Sequence, residues 1–334
     1  MIFYYSADGK KFYSKVEALE YKTKSGVNIG LYYHDDVYSK VNWKTEPPGT
    51  LDFYYKEQAQ RLRDTYDYLI LCYSGGYDST NILETFFYNN IKLDKIVIVG
   101  AFSQDSYIGS DENHNGEIYK NVFPTLNQYD LKNTKITVKD YTETFYTPEI
   151  LSVYNSEYEK QKRLSNWYSF HQWWWADLDK FMDISKKDIK IGIIFGVDKP
   201  YISKINEQIV TYFIDKIIFQ YGYYNNYNEE NNIKRIFFYW HPQSEKILRK
   251  QLHILKHFVK ANYNLNENST GKIIYKLKVP LNFVSSKSKT NIISVRDKYI
   301  VKKQNSLIFE NYKKHLVYAN RFNINFKSRN YVIE

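Results

Sequence analysis

An alternation of strand-like and helix-like runs constrains the fold of this chain more than any other feature of its sequence. Residues 67–74, DYLILCYS, form a continuous apolar run of the kind that is buried on both faces of a parallel sheet. Helical patterns precede and follow it at residues 51–66 and 79–90. Later strand-like runs lie at residues 92–102, 134–141 and 190–198. This succession predicts an α/β fold with a doubly wound parallel sheet over residues 62–220.

The regions on either side of this core have other patterns. Two aromatic-rich runs surround Asp8-Gly9, which predicts a hairpin because glycine accepts the positive φ of a tight turn. Residues 22–50 have the composition of an irregular linker, and residues 244–262 have a helical pattern. We therefore predict a hairpin and linker at residues 1–50, the α/β domain at residues 51–220, and a helical and basic extension at residues 221–334.

Charge is unevenly distributed along the chain, whose formal net charge is +10. Residues 271–334 hold 14 Lys and Arg against three acidic residues, so the other 270 residues are close to neutral. A basic segment of this kind indicates either an anion-binding surface, such as one for nucleic acid, or a solvated basic face.

Two features exclude whole classes of protein. The single cysteine, Cys72, cannot form a disulfide within the chain, a zinc site built from cysteines or a C-x-x-C redox pair, and we expect it to be a buried spectator. No apolar run reaches the roughly 18–20 residues that span a bilayer, and the first residues lack a signal-peptide pattern. We therefore expect a cytoplasmic protein without a membrane partner.

A glycine-rich segment follows the first core strand, at the end of the sheet where ligands bind. Its residues are Ser74, Gly75, Gly76, Tyr77, Asp78 and Ser79. The glycines allow a tight turn and a close approach to a ligand, and the following helix offers N–H groups to an anion. The segment has neither the lysine of a Walker loop nor the G-x-G-x-x-G spacing of a dinucleotide site. The carboxylate of Asp78 is explained if it holds a Mg²⁺ ion that bridges phosphate oxygens.

This segment resembles the signature of the ATP pyrophosphatases, the PP-loop superfamily, and is most similar to the synthetase domain of asparagine synthetase. The resemblance covers roughly residues 52–200 and implies an adenine nucleotide α-hydrolase-like fold that uses ATP and Mg²⁺. Members cleave ATP between the α- and β-phosphates and transfer AMP to a substrate oxygen. A nucleophile, usually nitrogen, then displaces the AMP. The resemblance therefore implies that residues 74–79 bind the pyrophosphate of ATP.

The same resemblance implies site residues at the ends of two other strands. Gly196 and Asp198 match a glycine-rich turn whose acid supplies a second Mg²⁺ ligand in asparagine and β-lactam synthetases. Lys199, a further catalytic candidate, departs from the acidic residue that usually follows there. The alternative for this turn is an ordinary loop with a solvated Asp198. Adenine is expected against the main chain of Val99, Gly100 and Ala101.

The basic C-terminal segment contains a candidate lysine for the same site. Ligases of the family often bring a C-terminal lysine to the active site, where it stabilises charge that develops on the adenylated intermediate. We expect Lys289 to have this role, and Lys287 and Lys298 lie in the same stretch as alternatives.

Departures from the family narrow the expected activity. Ile2 stands where glutamine-dependent asparagine synthetases expose a nucleophilic cysteine, so we expect no glutaminase domain in this chain. The expectation is an AMP-forming C–N ligase that adenylates a carboxylate or amide oxygen of an unidentified acceptor. The nitrogen would come from ammonia, a substrate amine or a separate glutaminase subunit. The chain is also similar to asparagine-synthase-like proteins encoded by phages, for which the host cytoplasm is the expected location.

Two other functions fit the same residues. In the first, the adenylated acceptor is a nucleobase in nucleic acid, and residues 271–334 hold its phosphates. In the second, the chain is a non-catalytic nucleotide-binding protein that retains the fold.

Two further groups of residues have both a functional and a structural interpretation. Trp173, Trp174 and Trp175, with Trp167 and Phe170, could stack a nucleobase, but aromatic residues at helical spacing more often form a core or an interface. His253 and His257 are four residues apart, yet no Glu occupies the place that a zinc protease requires. We therefore expect these histidines, and His171, to be packed or solvated.

Overall fold

The chain is organised around a parallel sheet, with two small antiparallel sheets beside it. The computed structural model describes residues 3–12, 15–100, 118–140, 189–196, 201–205, 208–214, 232–262 and 327–334. The elements up to residue 100 are β1 (Phe3–Ala7), β2 (Lys10–Phe12), α1 (Lys15–Ser25), β3 (Gly30–Tyr33), α2 (Asp35–Tyr38), α3 (Leu51–Thr65), β4 (Tyr68–Cys72), α4 (Tyr77–Tyr88) and β5 (Lys95–Gly100). They are followed by a π-helical turn (Ile118–Val122), α5 (Phe123–Leu126), β6 (Lys135–Asp140), β7 (Ile191–Phe195), β8 (Tyr201–Ile205), β9 (Gln208–Tyr212), β10 (Ile233–Phe237), a 3-10 turn (Pro242–Ser244), α6 (Glu245–Asn262) and β11 (Tyr331–Val332).

Five parallel strands form the main sheet, in the spatial order β10-β7-β4-β5-β6. β4 is the first of these strands along the chain and lies in the middle of the sheet. β5 and β6 are added on one side of it, and β7 and β10 on the other. The register places Cys72 of β4 opposite both Val97 of β5 and Phe195 of β7. The direction in which strands are added therefore reverses between β4 and β7.

The composition of the central strands explains their position. All five residues of β7 and four of the five residues of β4 are buried, Cys72 among them. Strands with apolar residues at successive positions are typical of parallel sheets covered on both faces. The prediction of an α/β fold with a parallel sheet is confirmed, and each predicted run extends a little beyond the strand that it contains.

The sheet takes its fifth strand from a part of the chain that the sequence analysis assigns to the C-terminal extension. β10 pairs in parallel with β7, from Ile233 opposite Ile191 to Phe237 opposite Phe195. Its sequence, IKRIF, contains two charged residues and lacks the continuous apolar run that identifies β4 and β7. The predicted helix that follows it is present as α6.

Three long helices pack together beside the sheet. α3 begins after Thr50, whose Oγ1 accepts a hydrogen bond from the Phe53 N–H at 3.2 Å. Its buried side chains include Leu51, Tyr55 and Leu62, and it contacts both α4 and α6. None of the helices in the described ranges has both the length and the apolar character that a membrane crossing requires.

The N-terminal residues form a three-stranded antiparallel sheet. β1 pairs with β2, and the turn residues Asp8 and Gly9 have positive φ angles of 49° and 73°, which confirms the predicted hairpin. β3 pairs with the other edge of β1, with Leu31 opposite Tyr5. The prediction of an irregular linker over residues 22–50 is therefore wrong for β3 and α2, which are regular because their aromatic side chains are buried.

Those side chains belong to a set of buried rings that we call the aromatic block. It consists of Tyr33, Tyr38, Trp43, Phe213, Trp240 and Tyr331. Phe213 touches four of the other rings, with centroid separations between 4.7 and 6.2 Å. The hydroxyls of Tyr33 and Tyr38 donate to the carbonyl oxygen of Trp240 at 2.9 and 3.1 Å. The block therefore joins the N-terminal sheet to the sheet formed by β8, β9 and β11 and to the end of β10.

Candidate functional site

The glycine-rich segment lies at the carboxyl ends of two neighbouring strands. Residues 74–79 follow β4 and Gly196 follows β7, and the order of the sheet reverses between these two strands. In open α/β sheets, ligands bind in the crevice outside the carboxyl ends of the strands at this reversal. The fold therefore places the predicted loop beside the position where a ligand crevice is expected.

Gly75 is required by its conformation and by its surroundings. Its φ is +75°, a value that side chains with a Cβ rarely adopt. A Cβ at this position would lie 2.5 Å from Val122 Cγ2 and 3.2 Å from the Val122 nitrogen. Val122 lies in the π-helical turn, and no pattern in the sequence indicates this contact. Together these constraints hold the loop against the turn.

Gly196 allows β7 to end directly against the first turn of α4. A Cβ on Gly196 would lie 2.8 Å from the Ser79 nitrogen and 2.9 Å from the carbonyl carbon of Asp78. Backbone atoms cannot move aside as the tip of a side chain can, so this approach requires glycine. The residue that follows β7 thus lies in contact with the first turn of α4.

The two serine hydroxyls of the loop have different environments. Ser79 is 2% exposed, and its Oγ donates to the Gly76 carbonyl at 3.1 Å and accepts from the Ser74 N–H at 3.3 Å. Ser74 is exposed, and its Oγ lies 3.2 Å from Ser79 Oγ and 3.4 Å from the Gly76 nitrogen. Ser79 therefore stabilises the loop, whereas Ser74 is the hydroxyl that a ligand in the crevice can reach.

The start of α4 favours a negatively charged ligand. Its N-cap residue, Gly76, has no side chain that could cap the helix, and its backbone is extended with ψ of 164°. The N–H groups of the first turn of a helix point out of its N-terminal end, which also carries the positive end of the helix dipole. Backbone N–H groups in this arrangement bind phosphate and sulfate groups in many proteins.

Asp78 lies in the first turn of α4, and its main chain is held by a distant tyrosine. The Tyr239 hydroxyl donates to the Asp78 carbonyl oxygen at 2.8 Å and accepts from Asn81 Nδ2 at 2.9 Å. Burial raises the pKa of Tyr239 well above its usual range, and the nearby Tyr55 and Asp78 raise it further. The hydroxyl therefore stays protonated as a donor. The Oδ1 atom of Asp78 is shielded from solvent.

Tyr239 is a site residue that the sequence analysis misses. It lies two residues after the end of β10, and its ring packs edge-on against Tyr55 of α3 at 5.7 Å between centroids. Burial likewise raises the pKa of Tyr55, whose hydroxyl accepts from Gln251 Nε2 at 3.0 Å. Tyr239, Tyr55 and Gln251 therefore form a connected set of side chains that supports the first turn of α4 through the Tyr239 hydroxyl. The aromatic run FFYW gives no local signal that its tyrosine supports this helix.

The remaining predicted residues divide into those that the structure describes and those that it does not. Val99 and Gly100 end β5, on the side of β4 opposite to β7, where they pair with Lys139 and Asp140. Outside the described residues lie Ala101, Asp198, Lys199, Lys287, Lys289 and Lys298, the aromatic residues 167, 170 and 173–175, and His171.

A separate groove of about 690 Å³ lies along the outer face of α3. Its walls come from α3 and from residues 243–247, and they include Lys56, Arg61 and Lys246. None of residues 74–79 lines it. It is therefore distinct from the strand ends, where a ligand crevice is expected.

The groups described at the crevice fit a nucleotide phosphate that carries a divalent cation. The first turn of α4 and Ser74 supply donors for phosphate oxygens, and Gly75 allows the tight turn that packs the loop against Val122. A carboxylate oxygen such as that of Asp78 is the ligand type that Mg²⁺ prefers.

In comparisons with known proteins, no family model matches the sequence, and a search of curated proteins finds no match.

Proposed function

We propose that this protein is an AMP-forming ligase of the ATP pyrophosphatase type, with the doubly wound fold of the adenine nucleotide α-hydrolases. One observation carries the proposal. The segment SGGYDS follows the middle strand of the sheet, and the end of the neighbouring strand β7 meets it at Gly196. This is the place where a parallel sheet of this strand order binds nucleotides.

Each group in the crevice has a role in this proposal. The N–H groups of the first turn of α4 and the hydroxyl of Ser74 bind the β- and γ-phosphates, which leave as pyrophosphate. Asp78 and Asp198 would hold Mg²⁺. The ion would neutralise charge on the phosphates when bound. Ser79 and Tyr239 keep the loop and the helix start in position through the hydrogen bonds described above.

The reaction is a transfer of AMP followed by a displacement. An oxygen of the acceptor's carboxylate or amide attacks the α-phosphorus, and the bond between that phosphorus and the bridging oxygen to the β-phosphate breaks. Pyrophosphate leaves with the electron pair. A nitrogen nucleophile then attacks the activated carbon, AMP leaves, and the nitrogen loses a proton. Lys199 and Lys289 are the cations assigned to stabilise charge that develops on the adenylated acceptor.

An isotope experiment tests the reaction type. The protein is incubated with Mg²⁺, ATP labelled at the α- or the γ-phosphate, and a panel of carboxylates, amides and tRNA. We expect labelled AMP and labelled pyrophosphate respectively. β,γ-Methylene-ATP should replace ATP, whereas α,β-methylene-ATP should only inhibit, because its α–β link cannot be cleaved. Formation of ADP and phosphate would contradict the proposal.

The charge of residues 271–334 favours nucleic acid as a second candidate acceptor. Binding through several Lys and Arg side chains would depend steeply on salt, with a log–log slope of about −0.7 to −0.9 for each phosphate neutralised. We expect binding of tRNA or DNA with this slope. Removal of residues 271–326 should abolish this binding and leave the affinity for ATP unchanged. If binding is absent or independent of salt, residues 271–334 would instead be interpreted as a solvated basic face.

A further inference from the structure

A second group of potential metal ligands lies away from the strand-end crevice. His253 and His257 are four residues apart on α6, and Glu46 comes from the segment between α2 and α3. Each of the three offers one ligand atom, and these atoms all lie within 4.8 Å of one another. Residues four apart on a helix lie on the same face, so the two imidazoles can approach one ion.

One pair of these ligand atoms already has the spacing of a metal site. His257 Nε2 and Glu46 Oε2 are 3.4 Å apart. Zinc bonds of about 2.0–2.1 Å in tetrahedral geometry place neighbouring ligand atoms about 3.3 Å apart. An ion could therefore bind between these two atoms without moving them, and His253, whose ligand atom lies within 4.8 Å of both, would have to move closer.

Hydrogen bonds with neighbouring residues orient the side chains of Glu46 and His253. Groups in the outer shell of a metal site orient its ligands in the same way. His253 Nε2 lies 2.9 Å from the carbonyl oxygen of Trp43, which can only accept, so Nε2 carries the proton and the lone pair is on Nδ1. Lys250 Nζ donates to Glu46 Oε1 at 2.6 Å, which leaves Oε2 facing His257. A ligating imidazole usually donates its other nitrogen in this way, and ligating carboxylates are themselves hydrogen-bonded.

The cluster is partly open to solvent, although His253 is only 2% exposed. The side chain of His257 is 63% exposed, so an ion can enter from solvent.

We propose that Glu46, His253 and His257 bind a divalent transition-metal ion of the Zn²⁺ class. Two imidazoles and one carboxylate favour Zn²⁺ or Co²⁺ and are unsuited to Mg²⁺, which prefers oxygen ligands. The bound ion would fasten the segment around Glu46 to α6, next to Trp43 of the aromatic block. This site does not depend on the proposed nucleotide chemistry.

The experiment measures metal binding by the full chain after treatment with a chelator. Zn²⁺ is titrated calorimetrically, and Co²⁺ is followed by the visible absorption of its nitrogen-ligated form. We expect one saturable site for which Mg²⁺ does not compete. His257→Gln and Glu46→Gln should each weaken binding at least about tenfold, because loss of an outer-shell partner alone costs about 10–100-fold.

Two control variants locate the binding. Lys260→Gln lies on the same helix and alters an exposed pair with Glu334, so it should bind metal like the unmodified protein. Asp78→Asn removes the carboxylate of the crevice and should also leave this site intact. The proposal is overturned if the unmodified protein shows no saturable site. It is equally overturned if His257→Gln and Glu46→Gln bind as tightly as the controls.

Discussion

The loop that follows β4 consists of six consecutive residues, whereas the aromatic block takes its rings from parts of the chain as distant as Tyr33 and Tyr331. In the loop, the glycines permit contact by having no side chain, and β7 and the π-helical turn approach to backbone distance. In the block, large rings make the contacts. The first region is therefore held by close contacts of the main chain, and the second by contacts between buried side chains.

Two adjacent residues connect these regions. The Tyr239 hydroxyl donates to the main chain of Asp78, and the carbonyl of Trp240 accepts from Tyr33 and Tyr38. A change in either region can therefore reach the other through this dipeptide. Paired measurements of stability and nucleotide binding separate the two contributions.

The largest effect is expected from Phe213→Ala in the aromatic block. Phe213 is 2% exposed and touches four other rings, so its removal should lower the free energy of unfolding by about 3–5 kcal/mol. Urea unfolding measures this, with nucleotide affinity determined under folding conditions. Phe53→Ala, at a ring that is 52% exposed, is the control and should change stability by less than about 0.5 kcal/mol. Equal losses in both variants would show that the block is not a core.

Asp78→Asn should have the opposite profile. It keeps the size of the side chain but removes the charge, so we expect turnover to fall by at least about 10²–10³-fold with little change in thermal stability. Asp94→Asn is the matched control at the other end of the sheet, where Asp94 Oδ2 binds Arg63 at 2.6 Å and the Leu69 N–H at 2.8 Å. It should lower stability and retain metal–nucleotide affinity. Normal turnover of Asp78→Asn would remove Asp78 from the mechanism.

Gly75→Ala should combine backbone strain with a steric clash. A positive φ costs a residue with a Cβ about 1–2 kcal/mol, and the added carbon meets Val122 as well. Gly9→Ala is the natural control, since Gly9 has a φ of +73° and no atom within 4 Å of an added Cβ. We expect Gly75→Ala to be the more destabilising and to weaken nucleotide binding, as measured by chemical unfolding and ligand titration. Equal costs would mean that the loop can move away from Val122.

Acid should weaken the aromatic block before the loop. Burial lowers the pKa of His34, which packs against Tyr33 and Tyr38, to about 4 in the folded protein, against about 6.5 in the unfolded chain. The folded state therefore binds fewer protons, and its stability is lost as pH falls from about 6.5 towards 4, by up to about 1.4 kcal/mol per pH unit. His34→Asn should lower the slope of melting temperature against pH between these values, since Asn tolerates the positive φ of this residue. Part of the slope should remain, because burial also lowers the pKa of His241, to about 3. An unchanged profile would exclude His34 as its cause.

The smallest effect is expected where the two regions join. Tyr239→Phe removes one hydroxyl that binds both Asp78 and Asn81, and it should cost about 1 kcal/mol of stability. Because that hydroxyl holds the first turn of α4, nucleotide affinity should fall as well. Tyr55→Phe, which loses only a contact with Gln251, should lower stability without this second effect. Titration of both variants with Mg·ATP decides whether the dipeptide transmits changes between the regions.

The sequence pattern predicted those strands and helices whose formation depends on residues that are close together along the chain. The apolar runs of β4 and β7 and the periodicity of α3 and α6 indicate their type, since burial on both faces or on one helical face leaves a mark within a few residues. The positive φ of Gly9 likewise follows from a tight turn. The sequence pattern of β10 and β3 is weaker. β10 contains two charged residues and β3 has only four residues, so neither has a long apolar run that indicates a strand.

The sequence by itself determined that a glycine-rich, acid-containing loop follows an apolar strand, because those residues are adjacent along the chain. Only the tertiary structure decided that β7 is the neighbour of that strand, that Gly196 meets Ser79, and that Tyr239 supports Asp78. It also decided that Glu46 lies beside His253 and His257, more than two hundred residues further along the chain. Such contacts depend on the order in which strands assemble and on how helices pack over them, and no pattern within one segment records either.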